Sequence, residues 1–182
     1  MVVRYRSVTL DRMLRIAVIG NAGGGKTTLA RRLGAARSLP HFSVDVMLWG
    51  DGRRYGLDGV FLDIHDAALA QDAWIIDGVG PWGAIEKRLE RADTIVVIDL
   101  PLRLHYWWAF KRQVRKFLSG GKCAPGDWPG ATCPFRLMRI IRRLHTQFRA
   151  QLLAKVDMLR GSKSVFHLRS PRDIDDFVAR YA

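Results

Sequence analysis

The segment VIGNAGGGKTTLA, residues 18–30, decides the fold, because Gly20, Gly23, Gly24 and Gly25 crowd one short loop beside Lys26. A backbone this bare is expected where a ligand must approach main-chain amides closely. Gly20-Asn21-Ala22-Gly23-Gly24-Gly25-Lys26-Thr27 fits the pattern G-x-x-x-x-G-K-[ST], which wraps phosphates between a strand and a helix. The glycines let successive N–H groups converge on the anion, the helix amino end adds its positive dipole, and Lys26 reaches the β- and γ-phosphates. The Thr27 hydroxyl is of the kind that ligates Mg²⁺, and Thr28 carries the loop into its helix. Such a set of fixed positions arises by chance in a chain of this size on the order of once in a hundred. A nucleoside triphosphate is the expected ligand.

The surroundings agree. LRIAVIG (14–20) is a β-branched apolar run ending at glycine, as in a buried parallel strand, and Lys26 to Ala36 reads as a helix with Leu29 and Leu33 four apart. HFSVD (41–45), AWIIDG (73–78), TIVVIDLP (94–101) and SVFHL (164–168) read as further strands. VFLDIHDAALA (60–70), AIEKRLERA (84–92) and Leu102 to Leu118 read as helices. Leu137, Ile141, Leu144, Phe148, Leu152, Val156 and Leu159 mark one face of a long helix opened by Pro134, and Ser170-Pro171 opens a last one, with Asp173 in its first turn. Strands alternating with helices predict one α/β domain over residues 14–182 with a parallel sheet, preceded by a short extension at 1–13 for which Met13 stands as an alternative start. The Gly- and Pro-rich stretch 119–134 is the sizeable loop.

A length of 182 residues with 48% hydrophobic content allows one real core. No apolar run approaches the roughly 20 residues of a bilayer span, and the leader MVVRYRSVTLDR lacks the apolar centre of a secretory signal, so a soluble cytoplasmic protein is expected. Cys123 and Cys133 read as unpaired loop thiols; Asp127 and His145 complete a zinc set only on paper. The net charge of +13 is uneven: residues 1–100 hold 13 basic and 12 acidic side chains, residues 101–160 hold 13 and 2, and residues 161–182 hold 4 and 3. That block attracts a polyanion, either a nucleotide's phosphates or a nucleic acid, although a solvated basic face has the same composition.

Two acids stand at predicted strand ends. Asp77 closes AWIID, where a carboxylate beside the loop holds Mg²⁺ through water, and Asp45 closes HFSVD in the same way. Each also fits a helix cap or a surface turn. Asp99 ends a third strand, where Leu100-Pro101 reads equally as a turn.

IAVIGNAGGGKTTLARRLG, HFSVDVMLW, WIIDGVG, RLERADTIVVIDLP, the Trp-rich helix entering KRQVRK, the CPF step and the terminal SVFHLRSPRDIDDFV together resemble the adenylate-kinase-like P-loop kinases. The resemblance is closer to their subgroup of DNA topology modulation (FlaR-like) proteins and covers almost everything after Met13. It implies a three-layer P-loop fold, a five-stranded parallel sheet in the order 2-3-1-4-5, ATP with Mg²⁺, and a lid over about residues 112–135. It further implies lid arginines that neutralise the moving phosphoryl group, with Arg112 and Arg115 the first candidates and Arg139 and Arg143 the second. Asp45 would orient or deprotonate the acceptor, adenine would rest near Arg169-Ser170-Pro171, and Trp49 is a candidate to stack on a base or sugar.

One departure narrows the substrate. Nucleoside monophosphate kinases continue IIDG into a Pro-Arg pair that grips the acceptor phosphate, whereas this chain reads Asp77-Gly78-Val79-Gly80-Pro81-Trp82. Arg53, Arg54 and Arg88 are the substitutes beside Gly78. The expected function is transfer of the ATP γ-phosphoryl group to a small acceptor by a monomer or homodimer away from membranes. An ATP-binding regulator associated with nucleic acid is the alternative, favoured by the basic block and opposed by the lack of a helix-turn-helix, zinc-finger or aromatic-basic sheet motif.

Overall fold

The computed structural model describes residues 13–49, 59–118 and 134–182. Strand β1 (Arg15–Gly20) runs through the middle of a parallel sheet, and its Ile16, Ala17, Val18 and Ile19 are fully buried. Such a strand needs cover on both faces. Its neighbours are β3 (Trp74–Asp77) on one side and β4 (Thr94–Ile98) on the other, with β2 (His41–Ser43) beyond β3 and β5 (Ser164–Leu168) beyond β4. The five strands are all parallel, in the order β2-β3-β1-β4-β5 that the resemblance implies.

The two-residue period of the strands sorts the core into two halves. Ala17, Ile19, Ile76, Ile95 and Val97 pack with α3 (Gly59–Ala70), α4 (Trp82–Arg91) and α7 (Arg149–Leu159). Ile16, Val18, Ile75, Val96 and Phe166 pack with α1 (Lys26–Arg37) and α8 (Pro171–Tyr181). The result is a three-layer α/β sandwich. Where β1 passes β4, Gly20 has φ 153°, and a Cβ there would stand 2.2 Å from the Ile98 carbonyl oxygen. No side chain fits, so the loop after β1 can begin only with glycine.

Two elements differ from expectation. HFSVD is not one strand: β2 ends at Ser43, and Val44–Trp49 form α2. The physical reason is pairing, because Ser43 lies in register with Asp77, the last residue of β3, and no neighbour continues beyond it. The long helix after Pro134 is also interrupted. It runs as α6 (Pro134–Arg143), a π turn (Leu144–Phe148) and α7, with the Arg149 N–H reaching back five residues to the Leu144 carbonyl. Thr146 Oγ1 donates to the Arg142 carbonyl at 3.0 Å, a side-chain bond that competes with the regular ladder. The predicted apolar face survives the interruption, with Leu137, Ile141, Leu152 and Val156 buried.

Helix α8 begins as predicted. Ser170 Oγ accepts from the Asp173 N–H and the Asp173 carboxylate accepts from the Ser170 N–H, a capping box around Pro171. Among the described residues no helix is long and apolar enough to cross a membrane. Residues 119–133, the middle of the lid expected over about 112–135, lie outside the described residues, as do both cysteines, Arg53 and Arg54.

Candidate functional site

The loop after β1 turns on glycines in the left-handed region. Gly23 and Gly25 take left-handed φ values of 72° and 81°, and Gly25 caps α1 without a side chain. The first N–H groups of α1 therefore have no capping side chain, the arrangement that favours an anion at a helix start. Gly23 to Thr28 line a cavity of about 620 Å³, within the usual size of a small-molecule site.

Side chains hold this loop from below. Lys26 Nζ donates to the Asn21 carbonyl at 2.8 Å. Its pKa is pushed down by burial, against the pull of Asp45 and Asp77, with Arg112 adding to the lowering. Asn21 Nδ2 donates to the Ile141 carbonyl of α6 at 2.9 Å, and its Oδ1 accepts from the Ala22 N–H at 2.7 Å. From α5 (Leu102–Leu118), His105 Nδ1 meets the Ala22 carbonyl at 3.0 Å and is the donor in that contact. Burial, with the charges of Lys26 and His145 adding to it, pushes the His105 pKa down to about 4.

Beside the loop, Asp77 ends β3 and is 1% exposed. Its Oδ2 accepts from Thr27 Oγ1 at 2.6 Å and its Oδ1 from His41 Nε2 at 2.7 Å. A hydroxyl that donates its hydrogen to a carboxylate keeps its lone pairs for a cation, and hydroxyl with carboxylate oxygen is the hard donor set that suits Mg²⁺. No group of three or more His, Cys, Asp or Glu that would cage a metal occurs among the described residues.

The opposite wall is basic. Trp108, Lys111, Arg112 and Arg115 of α5 line the cavity at steps of three, one and three, which puts them on one helical face. Leu137, Ile140 and Leu144 add an apolar strip, and Asp45 and Val79 complete the rim. Because α2 replaces the end of the predicted strand, Asp45 sits in the first turn of a helix rather than at a strand end. An acid there is favoured by the helix dipole.

The cavity lining thus brings together Ala22, Gly23, Gly24, Gly25, Lys26, Thr27, Thr28, Asp45, Arg112 and Arg115. Arg139 and Arg143 are exposed on α6, outside that lining, and Arg143 Nε donates to Gln147 Oε1 at 3.1 Å. Arg169 precedes α8 with its backbone N–H held by Asp173 at 2.8 Å. Trp49 closes α2. Arg88 is 1% exposed and does not line the cavity; its Nη2 donates to the Gly78 carbonyl at 2.8 Å, while Nε and Nη1 have no partner among the described residues. Burial pushes its pKa down to about 10, opposed by Asp77.

Four residues were missed by sequence reasoning. Lys111 and Trp108 carry a signal that was available, the helical spacing with Arg112 and Arg115. His41 and His105 carry none, because their partners lie 36 and 83 residues away. Of the adjacent Trp107 and Trp108, only Trp108 turns inward; Trp107 is half exposed and stacks on Phe110 at 6.2 Å.

No family model and no curated protein matches this chain by sequence. Solved structures do match in fold. Shikimate kinase from Acinetobacter baumannii in complex with shikimate is similar at a TM-score of 0.53 and 14% identity, over 92% of this chain and 90% of that one. Shikimate kinase from Bacteroides thetaiotaomicron is similar at 0.51 and 17%, over 92% and 95%. At these identities the likeness establishes the fold alone, the three-layer arrangement around a five-stranded parallel sheet.

Proposed function

We propose that this chain is a phosphotransferase that moves the γ-phosphoryl group of ATP, with Mg²⁺, to a small acceptor. The observation that carries this reading is one cavity floored by the glycine loop and walled by Lys111, Arg112 and Arg115, with Asp45 on its rim. Phosphoryl transfer asks chiefly for positioning and charge neutralisation. The loop N–H groups and Lys26 grip the β- and γ-phosphates, and Arg112 and Arg115 meet the charge that spreads over the transferred group. Thr27 directly, and Asp77 through water, are the residues that would hold Mg²⁺, which when bound would supply positive charge against the phosphates. Asp45 orients the acceptor hydroxyl and takes its proton. Gly78, Trp49 and Arg53 are the candidates for acceptor binding, and Arg88 supports the Gly78 turn through its carbonyl.

The test is acceptor-dependent ADP release with Mg²⁺ and ATP across hydroxylated small acids, polyols, sugars and nucleosides. The shikimate-bound fold relative makes hydroxylated acids the first group to try. With the responding acceptor, Asp45→Asn is expected to leave ATP affinity within about twofold and to lower turnover by about 10²–10⁴, the usual range for a lost general base. Full turnover in Asp45→Asn would remove the base assignment. Calorimetry that detects no heat from ATP with magnesium would sink the whole reading. DNA affinity that falls steeply with salt, in the absence of any phosphorylated acceptor, would point to the nucleic-acid alternative.

A further inference from the structure

We propose that His41 is a positioning residue for Asp77, pinning the carboxylate in the orientation from which it serves Mg²⁺ at the phosphate loop. The inference rests on the phosphotransferase reading above and deepens its metal side. Asp77 is almost fully buried, and each of its two oxygens has a separate donor: Thr27 Oγ1 on Oδ2 at 2.6 Å and His41 Nε2 on Oδ1 at 2.7 Å. A carboxylate only accepts, so Nε2 carries the hydrogen of the second bond. The two donors come from the first turn of α1 and the start of β2, elements that flank Asp77 on different sides. With both oxygens held, the carboxylate cannot rotate about its Cβ–Cγ bond. With Thr27 alone, it can.

The chain takes particular steps to deliver this imidazole. Helix α1 stops at Ser38 in a left-handed turn with φ 53°, and the Leu39 N–H closes on the Gly34 carbonyl at 3.0 Å. The Pro40 carbonyl then accepts from Ile75 N–H at 2.8 Å and starts the β2–β3 ladder. Gly34 leaves room for this close return: a Cβ there would lie 3.1 Å from the Leu39 carbonyl oxygen. Within the ladder His41 is in register with Ile75, two residues before Asp77. Its side chain must reach forward past an offset of about 6.6 Å along the strand. An imidazole or a glutamine amide has that reach, and an asparagine amide is shorter by one bond.

Residues that orient a metal-serving group typically alter metal affinity by about 10- to 100-fold when lost. The expected signature is a change in the magnesium-dependent part of nucleotide affinity, separate from the part made by the loop. The experiment is calorimetry of ADP binding to the full chain with Mg²⁺ and with EDTA. It compares wild type, His41→Leu, His41→Asn and His41→Gln, and repeats His41→Leu in an Asp77→Asn background. His41→Leu and His41→Asn should lower the magnesium-dependent gain in affinity about tenfold and leave the EDTA affinity within about twofold. His41→Gln should recover most of the gain. In the Asp77→Asn background His41→Leu should add nothing, since a residue acting through another is not additive with it.

Equal losses with and without magnesium, an unchanged gain in His41→Leu, or an effect that persists without the Asp77 carboxylate would each overturn the inference. Should His41→Leu fail to fold, the His41→Asn and His41→Gln pair decides, being alike in polarity and different in reach; equal gains in the two would overturn it. Wild type that binds ADP with magnesium dependence while the variants match it removes His41 alone. Wild type without ADP affinity removes the reading of the site as well.

Discussion

The glycine loop and the basic face of α5 look onto the same cavity, yet they are held there by different means. Gly20 is clamped against the Ile98 carbonyl, Asn21 is tied to Ile141, Ala22 to His105, and Lys26 to Asn21. Across the cavity Lys111, Arg112 and Arg115 are exposed side chains on a helix surface, and the Lys111 ammonium rests 5.0 Å from the centre of the Trp107 ring. One side is fixed in place and the other presents exposed charge to the cavity, and the proposed roles differ accordingly. The loop should therefore be intolerant of substitution and indifferent to salt, whereas the wall should tolerate substitution and respond to salt, because exposed charges are screened over about 10 Å at ordinary ionic strength.

The largest effect should come from the loop. Lys26→Ala is expected to lower turnover by about 10³ or more, the scale on which a charge stabiliser of the transferring group acts, and to weaken ATP binding in calorimetry. A residual rate within tenfold of wild type would break the comparison at its stronger end.

His105, which joins the wall helix to the loop, comes next. Its folded pKa of about 4 lies below the ordinary value of 6.5, so the unfolded chain takes up the proton first as pH falls. The stability it contributes is present above about pH 6.5 and is lost progressively toward pH 4, up to roughly 3 kcal/mol. His65, buried and also lowered, acts in the same direction. Denaturant unfolding between pH 7 and 4 should thus show a shallower decline in His105→Gln than in wild type. Parallel curves would detach His105 from that decline.

The wall gives the smallest change per residue. Arg112→Gln and Arg115→Gln should each lower kcat/KM about tenfold at low ionic strength, with the deficit shrinking as salt is added. If the double variant and wild type respond to salt alike, the wall does not work through charge and the contrast dissolves.

Much of this was legible along the chain. The glycine pattern, the strand ending at Gly20 and the acid ending β3 are local features, written in adjacent residues, and the structure brings all three together. What the sequence concealed is non-local. Nothing in HFSVD reveals that β3 stops at Asp77 and leaves Val44 without a strand to pair with, so Asp45 was expected one element early. The buried state of Arg88 depends on α3, α4 and the Gly78 turn closing around it. An arginine on an amphipathic helix ordinarily reads as solvated. The π turn at Leu144–Phe148 was hidden for a different reason, since three- and four-residue apolar steps continue through it unbroken.

The guanidinium of Arg88, enclosed with two nitrogens unmatched among the described residues, sets heat tolerance against competence. Exchanging a buried and incompletely compensated charge for an apolar side chain of like volume is often neutral or stabilising by about 1–4 kcal/mol. Laboratory evolution for thermal hardiness alone would reward Arg88→Met and relax the Gly78 turn next to Asp77 as it did so. Ancestry under selection for turnover would keep the arginine and accept a softer protein.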